Sequence, residues 1–249
     1  MGHIKKWWKT PLGKIVEEYH SGAKPPPGGR ASKRTPTPEE MEKANQRQKH
    51  RKAQLLLMNN FRADDYFITL TYRESERPAD LQECKRQFRN FVSRLKREYD
   101  RQGTELKWMR NIEVGSRGAW HIHLVVNRIP DTDILIRKHW PYGHPKNVLM
   151  YEDGGFRKLA GYLTKASGGL PKNERGSCYS HSRNLIMPKE HKREVKGNVI
   201  RRSDGTFTPI RIPKGYYLDK ESLFEGVNAY TGYPYRYYVL LRQRGGKAP

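Results

Sequence analysis

Two histidines separated by one residue are the most chemically informative feature of this sequence. His121 and His123 lie in the apolar run from Trp120 to Val126, whose composition is typical of a β-strand. Alternate residues of a strand share a face, so both imidazoles point one way while Ile122 points into the core. Two imidazoles on one face can reach a single metal ion, although a purely structural strand can carry the same pattern.

Glu113, on the preceding predicted strand, is the candidate third ligand. If a three-residue loop joins the two strands, with Gly118 in the left-handed conformation, Glu113 pairs with His121 and shares the histidine face. A two-residue loop would turn the carboxylate away and leave Glu113 as a surface residue. The sequence leaves both loops open. Two imidazoles and one carboxylate with open positions suit a divalent ion that also holds phosphate oxygens.

A tyrosine flanked by lysines is the candidate nucleophile. The sequence predicts a helix over residues 153–167, capped by Asp153 and stopped by the glycines that follow. Helical geometry places Lys158, Tyr162 and Lys165 in one narrow arc, opposite the apolar side chains. A phenol is a poor nucleophile at its free pKa of about 10, and nearby positive charge favours the phenolate. The alternative is a tyrosine that lies on the sheet while the lysines extend to solvent.

The neighbouring elements predict an α+β fold. In order they are a strand over 66–72, an amphipathic helix over 79–100, strands over 106–114 and 119–127, a short helix over 133–139 and a strand over 147–151. This β-α-β-β-α-β order predicts an antiparallel sheet with helices packed on one face.

The composition divides the chain into three segments. They are a basic N-terminal arm and helix (1–60), a core domain (61–190) and a C-terminal extension packed on that same domain (191–249). We expect the arm to be poorly ordered to about residue 36, because prolines and glycines interrupt it, and the helix to begin with Thr37 as N-cap. The extension is predicted to hold a hairpin about Asp204-Gly205 and a final strand over 235–242.

The charge of the chain points to an anionic partner. Lysine and arginine number 49 against 26 acidic residues, which gives a formal net charge of +23. Nucleic acid is the expected partner, because each neutralised phosphate releases counterions and adds affinity. No apolar run approaches the roughly 20 residues of a membrane-spanning helix, and no signal-peptide core follows the basic N-terminus. We therefore expect no membrane and a cytoplasmic location. Cys84 and Cys178 are isolated and form no zinc-type pair.

Three motifs, in this order, resemble those of HUH rolling-circle replication initiators. They are Phe67-Ile68-Thr69-Leu70-Thr71, then Glu113 with His121-Ile122-His123, then Tyr162-Leu163-Thr164-Lys165. The likeness covers about residues 66–190 and includes Ser182-Arg183-Asn184-Leu185, which is similar to a segment found after the tyrosine helix. It is strongest to the replication-associated proteins of bacterial plasmids, integrative elements and small single-stranded DNA phages.

The resemblance implies a ferredoxin-like (RRM-like) domain with the HUH endonuclease fold. It implies that His121 and His123, with Glu113, hold Mg²⁺ or Mn²⁺. Tyr162 would attack the scissile phosphate of single-stranded DNA at a replication origin and form a 5′-phosphotyrosine link. Lys165 would neutralise or orient the phosphate or the phenolate. The free 3′-hydroxyl would then serve a host polymerase in a bacterial cell.

The chain departs from family members that carry two tyrosines on this helix. Lys158 and Ala166 stand a turn either side of Tyr162, so termination would need a second subunit, as in a homodimer, or re-use of one tyrosine. The chain has no nucleotide-binding phosphate loop, so a host helicase is the expected partner that opens the duplex. DNA contacts are expected from Lys158 and Arg117, and from Trp140 by stacking on unpaired bases.

Two other interpretations remain open from the sequence. A relaxase or a single-tyrosine transposase would use the same histidines and tyrosine for the same chemistry. A non-catalytic nucleic-acid-binding protein with an RRM-like sheet would account for the charge and the aromatic residues. That second alternative gives no reason for the histidine pair or for the pairing of Tyr162 with Lys165.

Overall fold

The computed structural model describes residues 2–20, 35–115, 118–151, 153–165, 170, 174, 178–196, 199–228 and 230–243. In chain order its helices and strands are β1 (Gly2–Lys9), β2 (Gly13–Tyr19), α1 (Pro38–Asn60), β3 (Tyr66–Thr71), α2 (Leu81–Arg101), β4 (Trp108–Val114), β5 (Trp120–Val126), α3 (Thr132–His139), β6 (Lys146–Leu149), α4 (Arg157–Thr164), β7 (Ser180–His181), β8 (Glu190–Lys196), β9 (Tyr216–Val227) and β10 (Pro234–Arg242).

The chain divides into two compact units. The central unit comprises Asn60–Glu152 and Leu159–Ile186, and the terminal unit comprises Met1–Asn59, Asp153–Lys158 and Met187–Pro249. Each contains one five-stranded antiparallel sheet. The α+β class predicted from the sequence is confirmed. None of the helices in the described ranges is both long and apolar enough to cross a membrane.

The sheet of the central unit has the strand order β6-β3-β5-β4-β7. From β3 to β6 the chain follows the predicted β-α-β-β-α-β order. The first and third strands of this series, β3 and β5, lie side by side in the middle of the sheet. Residues on β3 and β5 are therefore flanked by strands on both sides, which holds their backbones rigidly.

One face of the central sheet is covered by α2 and α3. Asp80 caps α2 by accepting a hydrogen bond from the Glu83 backbone NH at 2.8 Å. The buried side of α2, including Phe88 and Phe91, packs against Leu124 of β5 in one apolar core. The expectation that all helices lie on one face is wrong for α4, whose Tyr162 contacts the opposite face of the sheet.

The hairpin between β4 and β5 resolves the alternative that the sequence left open. Gly115 donates its backbone NH to Ala119 at 2.8 Å, and Gly118 has a φ of +68°. This is the three-residue loop, and it pairs Glu113 with His121. The carboxylate therefore lies on the histidine face. Arg117 falls outside the described residues.

The prediction of a poorly ordered N-terminal arm is wrong for the first residues of the chain, which form strands of the terminal unit. β1 and β2 pair with each other, and their sheet has the order β8-β1-β2-β10-β9. The acidic residues of β2 are buried because distant cations balance them: Glu18, 3 % exposed, is bonded by Arg236 and by Lys5 at 2.9 Å. The C-terminal strand β10 thus pairs with β2, not with the central sheet.

The boundaries of α1 and of the C-terminal strand agree with the sequence prediction. Thr37 is the N-cap of α1: its hydroxyl accepts from the Glu40 NH at 3.3 Å, and the Glu40 carboxylate accepts from the Thr37 NH at 3.0 Å. This reciprocal pair is a capping box. The predicted hairpin about Asp204-Gly205 is reduced to a turn, closed by one isolated bridge between Arg201 and Phe207.

Candidate active site

The candidate site lies on the face of β3, β4 and β5 that is opposite the apolar core. His123 is 4 % exposed and has contacts through both ring nitrogens. Its Nε2 lies 3.1 Å from Glu113 Oε2, and its Nδ1 lies 3.3 Å from Thr69 Oγ1. Thr69 is the direct cross-strand neighbour of His123 on β3. A glutamate and a threonine on the two adjacent strands thus fix the orientation of this imidazole.

Burial keeps the His123 imidazole neutral. Removal from water lowers the pKa of His123 below its usual value, and the Glu113 carboxylate opposes this shift only in part. A neutral imidazole has a lone pair free for a metal ion or for a hydrogen-bond donor. His123 therefore has the chemistry that a metal ligand needs.

Tyr162 is placed directly against His123. Its Oη lies 3.4 Å from His123 Nε2, and the two rings meet edge to face with centroids 4.6 Å apart. Phe67 of β3 contacts the tyrosine ring edge to face at 5.9 Å and stacks on His123 at 6.1 Å. The tyrosine remains 44 % exposed. A buried imidazole and an accessible phenol therefore meet at one point on the surface.

The charge around Tyr162 differs from the sequence expectation. Burial raises the pKa of the Tyr162 phenol, Glu113 raises it further, and Lys165 lowers it. Lys165 Nζ lies 3.6 Å from Glu113 Oε1, so the carboxylate offsets the lysine. Lys165 therefore favours the phenolate as expected, but burial and Glu113 outweigh it in the protein alone. Lys158 belongs to the terminal unit, where it lines a small cavity with Asp219.

The short helix α4 is held in register by its ends. It begins at Arg157 and not at Asp153, because Gly154, Gly155 and Phe156 have positive φ angles. At its other end, the Asn111 side-chain amide donates to the Lys165 carbonyl at 3.0 Å. This bond ties the end of the tyrosine helix to β4. The helix ends at Thr164, before Lys165, and residues 166–167 of the predicted helix lie outside the described residues.

The donor types on this face fit a divalent cation, but the side chains are not yet gathered around one point. His123 Nε2 and Glu113 Oε2 converge, whereas the His121 ring centroid lies 6.2 Å from that of His123. Among the residues with described positions, no group of three histidine, cysteine, aspartate or glutamate side chains is arranged to hold a metal. The metal site of His121, His123 and Glu113 remains a prediction.

Trp140 does not occupy the position expected of a base-stacking residue. It is 1 % exposed, and its ring meets those of Tyr72 and Phe91 edge to face. Its indole NH donates to the Thr71 carbonyl at 2.9 Å. The expected stacking on DNA is wrong, because this side chain is part of the core.

Three residues of the site were not assigned a role from the sequence. They are Phe67, Thr69 and Asn111. Cross-strand pairing is the signal that would have found two of them, because Thr69 and Asn111 lie opposite His123 on either side. Phe67 shares the face of Thr69, two residues along β3.

One comparison with known proteins bears on this site. Residues 65–167 match the family model described as replication-associated protein ORF2/G2P. The matched range contains all three quoted motifs, and it confirms the resemblance to replication-associated proteins over that segment. The matched residues make up less than half of the chain, and the proteins of that family are described as replication-associated. No curated protein and no solved structure matches the chain.

Proposed function

We propose that this protein is a replication initiator of the HUH type, which nicks and rejoins single-stranded DNA at an origin through Tyr162. The observation that carries the proposal is the 3.4 Å contact between Tyr162 Oη and His123 Nε2. The match of residues 65–167 to replication-associated proteins supports the biological role. The β6-β3-β5-β4 strand order supports a ferredoxin-like domain, with the histidines on a central strand.

Tyr162 is the proposed nucleophile. Its Oη gives up its proton and bonds to phosphorus, the bond from phosphorus to the 3′-oxygen breaks, and that oxygen takes up a proton and leaves as a free 3′-hydroxyl. The 5′-phosphate stays on the tyrosine, which conserves the phosphodiester energy, so rejoining by the reverse reaction needs no ATP. The 44 % exposure of Tyr162 leaves room for a strand to approach it.

Lys165 and the histidine face would manage the charge of the reacting phosphate. Lys165 Nζ is 65 % exposed at the side-chain level and lies beside Glu113, from which it can turn to a phosphate oxygen. His121, His123 and Glu113 would hold Mg²⁺ or Mn²⁺. The ion, when bound, supplies polarisation of the phosphate oxygens. Thr69 and Phe67 hold His123 in place from the neighbouring strand.

The partners and the location follow from this chemistry. The chain would act on single-stranded origin DNA in the bacterial cytoplasm, with a host helicase to open the duplex and a host polymerase to extend the 3′-hydroxyl. Termination would use a second subunit or a second cycle on the same tyrosine. A relaxase or a single-tyrosine transposase would share every step above and differ in the DNA that it recognises.

The direct test is covalent capture of DNA. A pool of random single strands labelled at the 3′ end is incubated with the full chain and Mn²⁺, and protein-linked DNA is isolated on a denaturing gel and sequenced. The expected product carries the 3′ label on the protein. The same strand labelled at the 5′ end should give a shortened fragment that a polymerase extends.

Tyr162→Phe should abolish the adduct and leave the fold and DNA binding intact. Among the described residues the hydroxyl makes one long contact, so its loss should change the free energy of unfolding by less than about 1 kcal/mol. Tyr151→Phe is the matched control, because Tyr151 is 77 % exposed and stands apart from the proposed chemistry. Adduct formation by Tyr162→Phe would remove this residue from its role. Binding without any adduct in the wild type would favour the non-catalytic alternative.

A further inference from the structure

A groove on the helix-covered side of the central sheet has no part in the proposed nicking chemistry. It measures about 780 Å³ and lies between α2 and the segment around β7. Phe88 and Trp108 line it and meet edge to face at 5.2 Å. Phe88 is buried, whereas Trp108 keeps part of its surface open. The groove therefore presents an aromatic surface that a ligand can reach.

Arg110 lines the same groove, and no carboxylate of the described residues balances its charge. It is 7 % exposed, and its Nη1 donates to the Cys178 carbonyl at 2.7 Å. In the described part of the chain its Nε has no hydrogen-bond partner, and its guanidinium forms no salt bridge. Burial lowers the pKa of Arg110. A buried cation without a counter-charge is costly, and an anionic ligand would remove that cost.

Further cations surround Arg110 at the rim of the groove. They are Lys85, Arg89 and Arg183. Lys96 also lines the groove, but its charge is balanced by Asp100 at 2.6 Å. Glu105 is the other acidic residue of the lining, so the rim keeps an excess of positive charge. This excess is complementary to a chain of phosphates.

Arg183 links the groove to a motif that the nicking site does not use. It belongs to Ser182-Arg183-Asn184-Leu185, the segment that follows the tyrosine helix. Ser182 fixes this segment to the sheet, because its NH donates to the Trp108 carbonyl at 2.9 Å and its Oγ accepts from the Trp108 NH at 3.1 Å. The backbone is thereby held so that Arg183 stands over the groove.

We propose that this groove binds a stretch of single-stranded DNA, with bases stacked on Trp108 and phosphates held by Arg110, Arg89 and Arg183. An aromatic platform between spaced cations is the arrangement by which proteins hold unpaired strands without regard to sequence. The proposal rests on the proposed function, because an enzyme that acts on single strands gains from holding the strand beyond the nick. Arg110 faces the same side as the core residue Leu124 opposite it, so the groove lies on the sheet face away from His123.

Photochemical crosslinking tests the position of the strand. An oligothymidine that contains 5-iododeoxyuridine is irradiated with full-length Tyr162→Phe protein in the absence of metal, so that cleavage does not interfere. Mass mapping is expected to find the crosslink at Trp108 or within residues 180–184. Crosslinks confined to other parts of the chain would overturn the proposal.

The salt dependence of binding gives an independent readout. Log affinity for oligothymidine should fall with log salt along a negative slope, to which each phosphate contact on a single strand contributes about 0.7. In Arg89→Glu/Arg183→Glu two such contacts are lost, so the slope should become less steep by about 1.4. The control is Arg94→Glu/Arg97→Glu, which makes the same charge change at exposed positions of α2 that do not line the groove. Equal slopes in the two double variants would refute the groove as a binding site.

These outcomes separate the groove from the nuclease. Neither measurement requires a covalent adduct, so a chain that forms no adduct can still show the crosslink and the change in slope. That result would uphold the groove and reject the nicking chemistry. An adduct at Tyr162 with no crosslink in the groove would uphold the chemistry and reject the groove.

Discussion

Thr69 is the residue whose substitution tests the organisation of the proposed metal site most directly. An ionised Glu113 can only accept hydrogen bonds, so in the protein alone the proton of His123 lies on Nε2 and points to Glu113 Oε2 at 3.1 Å. Nδ1 then accepts from the Thr69 hydroxyl at 3.3 Å. A metal ion at Nε2 requires the other tautomer, in which Nδ1 donates to Thr69 Oγ1. A hydroxyl serves both states because it can donate and accept.

Thr69→Val keeps the shape of the side chain and removes both roles. His123 is 4 % exposed, so its Nδ1 would have no water to replace the hydroxyl. Loss of such an orienting partner typically weakens metal binding about 10- to 100-fold, which corresponds to about 1.4–2.7 kcal/mol. Leaving the buried nitrogen without a partner should also lower the free energy of unfolding by about 1–3 kcal/mol.

Electron paramagnetic resonance of free Mn²⁺ measures this effect without DNA or catalysis. The full chain is titrated with Mn²⁺, and Thr69→Ser is the matched control because it restores the hydroxyl on a smaller side chain. We expect the serine variant to bind close to the wild type and the valine variant to bind at least tenfold more weakly. If the valine variant binds Mn²⁺ within twofold of the wild type, Thr69 does not orient His123 for the ion.

The remaining predictions concern stability. Burial opposes ionisation of Glu18, but Arg236 and a neighbouring lysine outweigh it and hold its pKa below the usual 4.5. Glu18→Gln should therefore cost about 3 kcal/mol or more in urea unfolding at neutral pH. The difference should shrink as the pH falls below 4.5, because the stability that a carboxyl with a lowered pKa contributes is lost when it takes up a proton. Gly143→Ala places its Cβ 2.2 Å from the Thr71 carbonyl oxygen and should lower the thermal midpoint clearly. Gly118→Ala meets no neighbour within 4 Å and should cost only the strain of its left-handed backbone, about 1 kcal/mol. A larger loss of stability in Gly118→Ala than in Gly143→Ala would contradict this reasoning.

The sequence predicted the central unit well because its signals are short-range. Alternation along β5 placed His121 and His123 on one face, and a left-handed glycine at 118 brought Glu113 to them across a tight turn. Periodicity over α2 marked its buried side. Each of these rules connects residues within one element or one hairpin, so no knowledge of the rest of the fold was required.

The terminal unit could not be predicted by the same rules. β2 contains two adjacent glutamates, which in isolation indicate a solvated segment. Glu17 and Glu18 are nevertheless buried, because Arg51 and Arg236 come to them from α1 and β10. Strand β10 follows β2 by more than two hundred residues, and no local sequence pattern predicts ion pairs between residues so far apart.

The same distinction explains which part of the site prediction failed. The position of Tyr162 depends on which face of α4 is apolar, and a helical period supplies that information. Its charge environment depends on every ionisable group that the fold brings near. Lys165 is close to Tyr162 in sequence and was anticipated, whereas Glu113 comes from β4 and raises the pKa of the phenol. A spacing rule therefore predicts the direction of a reactive side chain better than it predicts the protonation state of that side chain.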